Sequence, residues 1–300
     1  MKNTSLYIIT VLIWGSSWFA IEFQLGHVDI MVAVFYRFTL AAIIMWGYCL
    51  IRRIPMSFGR RDHVFLLVLA LFNFSLNYLI VYHSQKYLTS AMTSIAFSTM
   101  LLMNILNTRL FFGKPIAGQI WVGAFCGIAG LIALFWRDLQ NEQMGDQALL
   151  GLSFALLAAF LASLGNMSNV RNLQQGMNVF AANAWGMLYG SALLLLAAVV
   201  TGATFKLVLV PSFIASLLYL SIFGTVIAFA SYYQLLKNIG PEKGSYVLIL
   251  FPMVSVILST LFEGFVWSQS TVIGFVLVLL GNAIILTPIQ TLRAMLNGKK

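Results

Sequence analysis

Ten apolar runs, each near the length a helix needs to cross a bilayer, follow one another along 300 residues with only short connectors between them. A helix spans the hydrocarbon core of roughly 30 Å with about 20 mainly apolar residues. The runs fall near 5–22, 31–51, 63–81, 90–112, 118–136, 149–168, 179–200, 212–234, 244–265 and 271–290. Short loops favour a compact bundle of neighbouring helices without a separate soluble domain. Composition agrees, since 61% of residues are hydrophobic and 8% charged, against about 25% charged in a soluble domain.

Inside this pattern lies an internal echo. Tyr82 to Ala133 aligns without a gap on Tyr233 to Ile284, at an offset of 233 − 82 = 151. Tyr82 meets Tyr233, Lys86 meets Lys237 and Ser94 meets Ser245. Leu110 and Phe111 meet Leu261 and Phe262, and Gly113, Gly123 and Gly130 meet Gly264, Gly274 and Gly281. The chain therefore divides into a first repeat over residues 1–140, a second over 147–292 and a tail over 293–300.

Charge sets the orientation. With the amino terminus in the cytoplasm, the inside holds Lys2, Arg52, Arg53, Arg60, Arg61, Arg109, Lys114, Arg171, Lys237, Lys243, Arg293, Lys299 and Lys300, while the outside holds Lys86, Arg137 and Lys206. Thirteen against three follows the positive-inside rule. Both termini are then cytoplasmic, including the tail. Five spans per repeat is an odd number, so the second repeat lies upside down relative to the first. The fold class expected is an all-α integral membrane bundle of ten helices in two inverted five-helix repeats.

The excess of 17 Lys and Arg over 8 Asp and Glu resides in connectors, which is membrane topology and not a nucleic-acid surface. Cys49 and Cys126 fit neither a metal-ligand nor a disulfide spacing. The three histidines, His27, His63 and His83, are scattered. No metal or other cofactor is expected.

Trp14-Gly15-Ser16-Ser17-Trp18, Tyr36-Arg37-Phe38 with Ala41-Ala42, and Tyr87-Leu88-Thr89-Ser90-Ala91 occur in order along the first spans. Gly123 to Gly130 and Leu261-Phe262-Glu263-Gly264 to Gly281-Asn282 close the two halves. With these patterns the chain resembles the EamA-type members of the drug/metabolite transporter superfamily over essentially its whole length. It departs from the common Gly-Glu at the end of the fourth span, where it has Gly113-Lys114, and it carries Glu263-Gly264 in reversed order. The resemblance implies a transporter of small organic solutes in a bacterial inner membrane, often an exporter of amino acids or related metabolites. It also implies a central cavity lined by the first, third, fourth, sixth, eighth and ninth spans, with the fifth helix of each repeat outside it.

Polar side chains in hydrocarbon are costly and face the bundle interior or water. Asn73, Asn77, Tyr78 and Tyr82 on the third span, Phe97 and Asn104 on the fourth, Asn166 on the sixth, Tyr232 on the eighth, and Tyr246 and Ser255 on the ninth are candidate solute-binding residues. Trp14 and Trp18 join them from the first span. Amides also bond helices to one another without touching a ligand, so each of these positions has a structural alternative. Aromatics, amides and hydroxyls together suit a neutral or zwitterionic amino-acid-like solute.

Three further residues are candidates for structural or gating roles. Arg37 lies about 10 Å inside its helix and needs a partner; Glu22 is the nearest by depth, and anion recognition is the alternative. Pro252 weakens the ninth helix locally. Gly123 and Gly127, like Gly274 and Gly281, suit close helix contact within the fold or between subunits, which leaves room for a homodimer.

No carboxylate sits at mid-depth, so the expected mechanism is alternating access driven by the solute's own gradient or by exchange. Two rivals stand beside it. One is a cationic-drug exporter, which wants a buried acid on the first span; the other is an integral-membrane enzyme, which needs converging acid, base or nucleophilic groups.

Overall fold

The computed structural model describes residues 3–139, 145–206, 208–244 and 246–287, and every regular element among them is helical. The assigned tail, 293–300, lies outside the described residues. Ten helices follow in order: α1 (Asn3–Glu22), α2 (Ile30–Ile51), α3 (Arg60–Ser84), α4 (Ser90–Phe112), α5 (Gly118–Leu139), α6 (Gly145–Gln174), α7 (Val179–Val200), α8 (211–244), α9 (Val247–Phe262) and α10 (Gln269–Leu286). Nine are long and apolar enough to cross a membrane. The chain is a multi-pass, all-α membrane protein.

Helix starts follow from capping side chains. The Asp29 carboxylate accepts from Met31 N at 2.8 Å, the Asn178 amide oxygen from Phe180 N at 2.9 Å, and the Ser268 hydroxyl from Thr271 N at 3.1 Å. Each satisfies a backbone donor that the first turn leaves without an intrahelical partner. Gly113, at φ +68°, ends α4 in the left-handed region that other residues avoid.

Three expected spans change length. α6 runs on past residue 168 to Gln174, 30 residues or about 45 Å, because its last turns are held from outside by an ion pair between Arg171 and Asp62 at 2.8 Å. α9 is 16 residues, about 24 Å, shorter than the expected 244–265. α8 continues to Gly244 and takes the residues before it, while Gly264 at φ +69° turns the chain just after Glu263.

Three of the helices are interrupted where they meet the interior. α3 contains a π-helical stretch at Phe72–Leu76, and α8 contains one at Tyr219–Ile227. α4 breaks at Ser98 and Thr99, whose hydroxyls donate to the carbonyls of Ile95 and Ala96, both at 2.7 Å. Hydroxyls that bond back to the preceding turn compete with the helical ladder and bend it.

α5 and α10 pack against each other through glycine. A Cβ at Gly123 would lie 2.6 Å from the Gly281 carbonyl oxygen, and one at Gly130 would lie 2.8 Å from that of Gly274. Reciprocally, a Cβ at Gly281 would lie 2.6 Å from the Gly123 oxygen, and one at Gly274 would lie 2.6 Å from that of Gly130. The backbones approach so closely only because these four side chains are missing. Of the glycines anticipated to serve either the fold or a subunit interface, Gly123, Gly274 and Gly281 are used within the fold, whereas a Cβ at Gly127 would meet nothing within 4 Å.

Candidate functional site

A cavity of about 640 Å³ occupies the middle of the bundle, within the 300–1,000 Å³ usual for small-molecule sites. Its walls come from α1, α3, α4, α6, α8 and α9, with Arg37 of α2 and Leu286 of α10 added. The six helices anticipated to line it all do so, whereas α10, the fifth helix of the second repeat and expected to lie outside, reaches the cavity with Leu286 at its end. No lining residue comes from α5 or α7 among the described residues.

Nine of the twelve candidate solute-binding residues meet at this cavity: Trp14, Trp18, Asn73, Asn77, Tyr78, Phe97, Asn104, Asn166 and Tyr232. The amides form a chain. Asn73 Nδ2 donates to Asn166 Oδ1 at 3.2 Å, and Asn166 Nδ2 donates to Asn104 Oδ1 at 3.2 Å, linking α3, α6 and α4. These groups therefore join helices and face the cavity at once, so the two readings of each amide are not exclusive. Gly165 makes the link possible, since a Cβ there would fall 2.7 Å from Asn73 Cγ.

Aromatic rings supply the opposite walls. Trp14 packs on Tyr232 with ring centroids 4.8 Å apart and on Phe229 at 5.5 Å. One turn further, Trp18 meets Phe97 at 5.0 Å and stacks on Phe251 at 5.9 Å. Trp18 is buried in this layer, inside the bundle and away from its lipid-facing surface.

Three candidates lie off the cavity. Tyr82 is fully buried beyond it and donates its phenol to Gln24 Oε1 at 2.7 Å. Ser255 sits one turn past Phe251, behind the Trp18–Phe251 layer, and is fully buried. The Tyr246 hydroxyl lies 3.2 Å from Thr287 Oγ1 instead of joining the amides. Each has the right chemistry at the wrong depth or on the wrong helix face.

The cavity is closed at one end and continued at the other. Beyond Ile21 and Val81 the helices are tied together: Gln85 Nε2 donates to the Trp18 carbonyl at 2.9 Å, and Ser84 Oγ donates to the Gly151 carbonyl at 2.8 Å. Glu263 Oε2 accepts from Ser90 N at 3.0 Å and from Ser259 Oγ at 2.6 Å, fastening the end of α9 to the start of α4. At the other end the lining runs through Thr108 and Leu173 to Lys114 and Pro115, in the loop after α4.

Arg37 corrects an expectation. The one ion pair among the described residues joins Arg171 to Asp62, so Glu22 does not neutralise Arg37. The Arg37 side chain turns instead across the bundle, where its guanidinium lies 4.6 Å from the Tyr78 ring centroid, and its Nε and Nη2 lie 3.4 Å from Thr225 Oγ1. Gly224 leaves the room, because a Cβ there would sit 2.8 Å from Ser17 Oγ and 3.6 Å from Arg37 Nη2. Glu22 ends α1 and lines no part of the cavity, and Pro252 is buried behind Phe251. Proline cannot donate to the Leu248 carbonyl, so the α9 ladder is open beside the cavity wall.

Leu248, Phe229, Phe251, Gly224 and Thr225 were not anticipated as site residues. In apolar runs a lining phenylalanine carries no mark that separates it from a core one. Lys114 did carry a mark, the departure from Gly-Glu at the end of the fourth span.

Comparison with known proteins agrees with this architecture. A solved protein crystal structure superposes with a TM-score of 0.69 over 94% of this chain and 96% of its own, at 17% identity, and so shares the fold. An uncharacterized inner membrane transporter, YedA, of Escherichia coli K12 is 28% identical over 85% of this chain and 80% of its own length. An uncharacterized transporter in the trpA 3' region of Buchnera aphidicola is 24% identical over 88% and 85%. The protein PagO of Salmonella typhimurium is 22% identical over 94% and 92%. The model of the EamA-like transporter family matches residues 2–136 and again residues 149–287, so that with its ten helices around a central cavity this chain belongs to that family.

Proposed function

We propose that the protein is an alternating-access carrier that exports amino acids or related small metabolites, with its two halves rocking about the central cavity. The observation that carries this is a cavity lined by amides and aromatic rings, sealed by hydrogen bonds at one end and continued to a loop at the other. The paired glycines support an inverted repeat. At the 151-residue offset Gly123 corresponds to Gly274 and Gly130 to Gly281, and each glycine clasps the counterpart of the other. Such reciprocity is what a two-fold relation between halves generates. The π-helical stretch of α8 also includes residues 223–227, which correspond to Phe72–Leu76 of α3.

Positive-inside counting puts Lys114, Arg171 and both termini in the cytoplasm. The structure then corresponds to an inward-facing state, with the Tyr82, Gln85 and Glu263 bonds forming the outer seal. The inner-membrane name of the Escherichia coli relative supports the location. The solute's own gradient or exchange drives the cycle, since no carboxylate lines the cavity among the described residues. That same observation disfavours a cationic-drug exporter, whose ligand needs a buried acid.

The test is to lock the outer seal. In a chain with Cys49 and Cys126 replaced, cysteines introduced at Gln24 and Tyr82 and bridged by a reducible bis-methanethiosulfonate long enough to replace the two side chains, whose tips meet at 2.7 Å, are expected to stop amino-acid flux in proteoliposomes, and reduction to restore it. Flux that continues with the bridge formed overturns alternating access.

A further inference from the structure

Arg37 is the most deeply placed cation among the described residues, 1% exposed, yet it lines the cavity wall. A guanidinium offers five donors and no acceptor. Here two of its nitrogens make long contacts of 3.4 Å to one hydroxyl, Thr225 Oγ1. That hydroxyl's own proton goes to the Leu220 carbonyl at 2.8 Å. Nη1 has no hydrogen-bond partner. The Tyr78 ring and the nearby Tyr82 phenol temper the charge without cancelling it. A buried charge left so incompletely partnered is expensive, and an anion reaching it through the cavity would satisfy the remaining donors.

The other polar groups narrow that anion. Lys114, at the far end of the lining, adds a second positive charge on the way in, so the field along the cavity favours negative solutes. Asn77, next to Tyr78 in sequence, is 5% exposed, lines the same cavity, and its Oδ1 has no hydrogen-bond partner. That oxygen can accept a proton from an N–H or O–H group of the solute. The rest of the wall is largely apolar and aromatic. This pairing of a spare cationic donor with a spare neutral acceptor fits a carboxylic acid bearing an amino or hydroxyl group and an apolar side chain.

We infer that the transported solute carries a carboxylate that binds Arg37, with a neighbouring donor on the solute taken by Asn77. The inference rests on the carrier reading and deepens it, by making recognition of a carboxylate, in place of generic amide contact, the basis of selection.

Matched probes test it on the full-length protein in detergent. Leucine against leucinamide, and phenylacetate against phenylacetamide and phenethylamine, differ mainly in the group that would face Arg37. Thermal-shift titration is expected to show each acid binding roughly tenfold to a hundredfold more tightly than its amide, as a charge-assisted hydrogen bond gives. R37Q should reduce that ratio to within about twofold by the same arithmetic, whereas R37K should keep part of it. Should R37Q not fold, the wild-type acid-to-amide ratio and R37K decide alone. Equal binding of acid and amide, preference for the amine, or no shift with any of these acids at millimolar concentration overturns the inference. So does an unchanged ratio in folded R37Q. Flux of solutes without preference for the acid leaves the carrier reading intact while sinking this one, and acid-selective binding without flux does the reverse.

Discussion

α3 and α8 both carry π-helical stretches at corresponding places, yet the matched positions in and just after those stretches offer the cavity opposite things. At the 151-residue offset Asn73 corresponds to Gly224, Asn77 to Ala228 and Tyr78 to Phe229. At these positions α3 presents amides and a phenol and α8 a missing side chain and an apolar ring, while the α8 phenol, Tyr232, corresponds to Val81. Into the space left at Gly224 come Ser17 and Arg37 from other helices. A shared backbone deformation has been used once to project hydrogen-bonding groups and once to admit them. The lesson is that the repeat governs scaffold geometry while the chemistry of the site has diverged between halves.

The largest effect is expected from erasing that difference. Gly224→Asn drives the side chain found at Asn73 toward Ser17 and Arg37, and the overpacking costs about 1–3 kcal/mol. Transport is expected to be lost and acid selectivity with it, while Asn73→Gly, the reverse swap, leaves a weakened but selective carrier. Equal losses from both swaps, measured by proteoliposome flux, break the comparison.

Next come the scaffold glycines, where symmetry should hold. Gly123→Ala and Gly274→Ala occupy corresponding positions, and each places a methyl group against backbone of the opposing helix. Both are expected to destabilise by about 1–3 kcal/mol and by similar amounts, read as matched drops in the detergent melting temperature. A difference of several degrees between them argues that α5 and α10 are not equivalent.

Removing the amide chain is a milder change. Asn166→Ala deletes two hydrogen bonds between helices, which in membranes are worth about 0.6–2 kcal/mol each. The cavity lets water replace part of them. A small drop in melting temperature with a larger loss of solute affinity is therefore expected, and the opposite ratio would make these amides structural only. The smallest effect belongs to Tyr82→Phe, which removes one bond from the closed end, worth about 1 kcal/mol. It should speed outward opening, seen as faster exchange with unchanged acid preference.

The bundle was legible because bilayer length leaves few alternatives for long apolar runs, and because an amide inside such a run must face protein or water. Asn73, Asn104 and Asn166 were found that way, and they do meet. Depth along a helix was less legible. Tyr82 and Ser255 have suitable chemistry but lie beyond the Trp18–Phe251 layer, and no residue pattern marks where two rings will close a cavity. The pairing of Arg37 with Glu22 failed for a related reason: equal depth does not imply facing sides, and the room at Gly224 drew the guanidinium toward Thr225 and Tyr78. π-helical turns escaped notice because an extra residue per turn shifts a helix face without changing composition.

The most direct test is the accessibility of the cavity from each side. A single cysteine at Thr108, in a background lacking Cys49 and Cys126, can be labelled with a membrane-impermeant thiol reagent in inside-out and right-side-out vesicles. The account predicts rapid labelling from the cytoplasmic face and slow labelling from outside, the latter faster when Tyr82→Phe removes the bond to Gln24 from the closed end. Labelling at similar rates from both faces would contradict it.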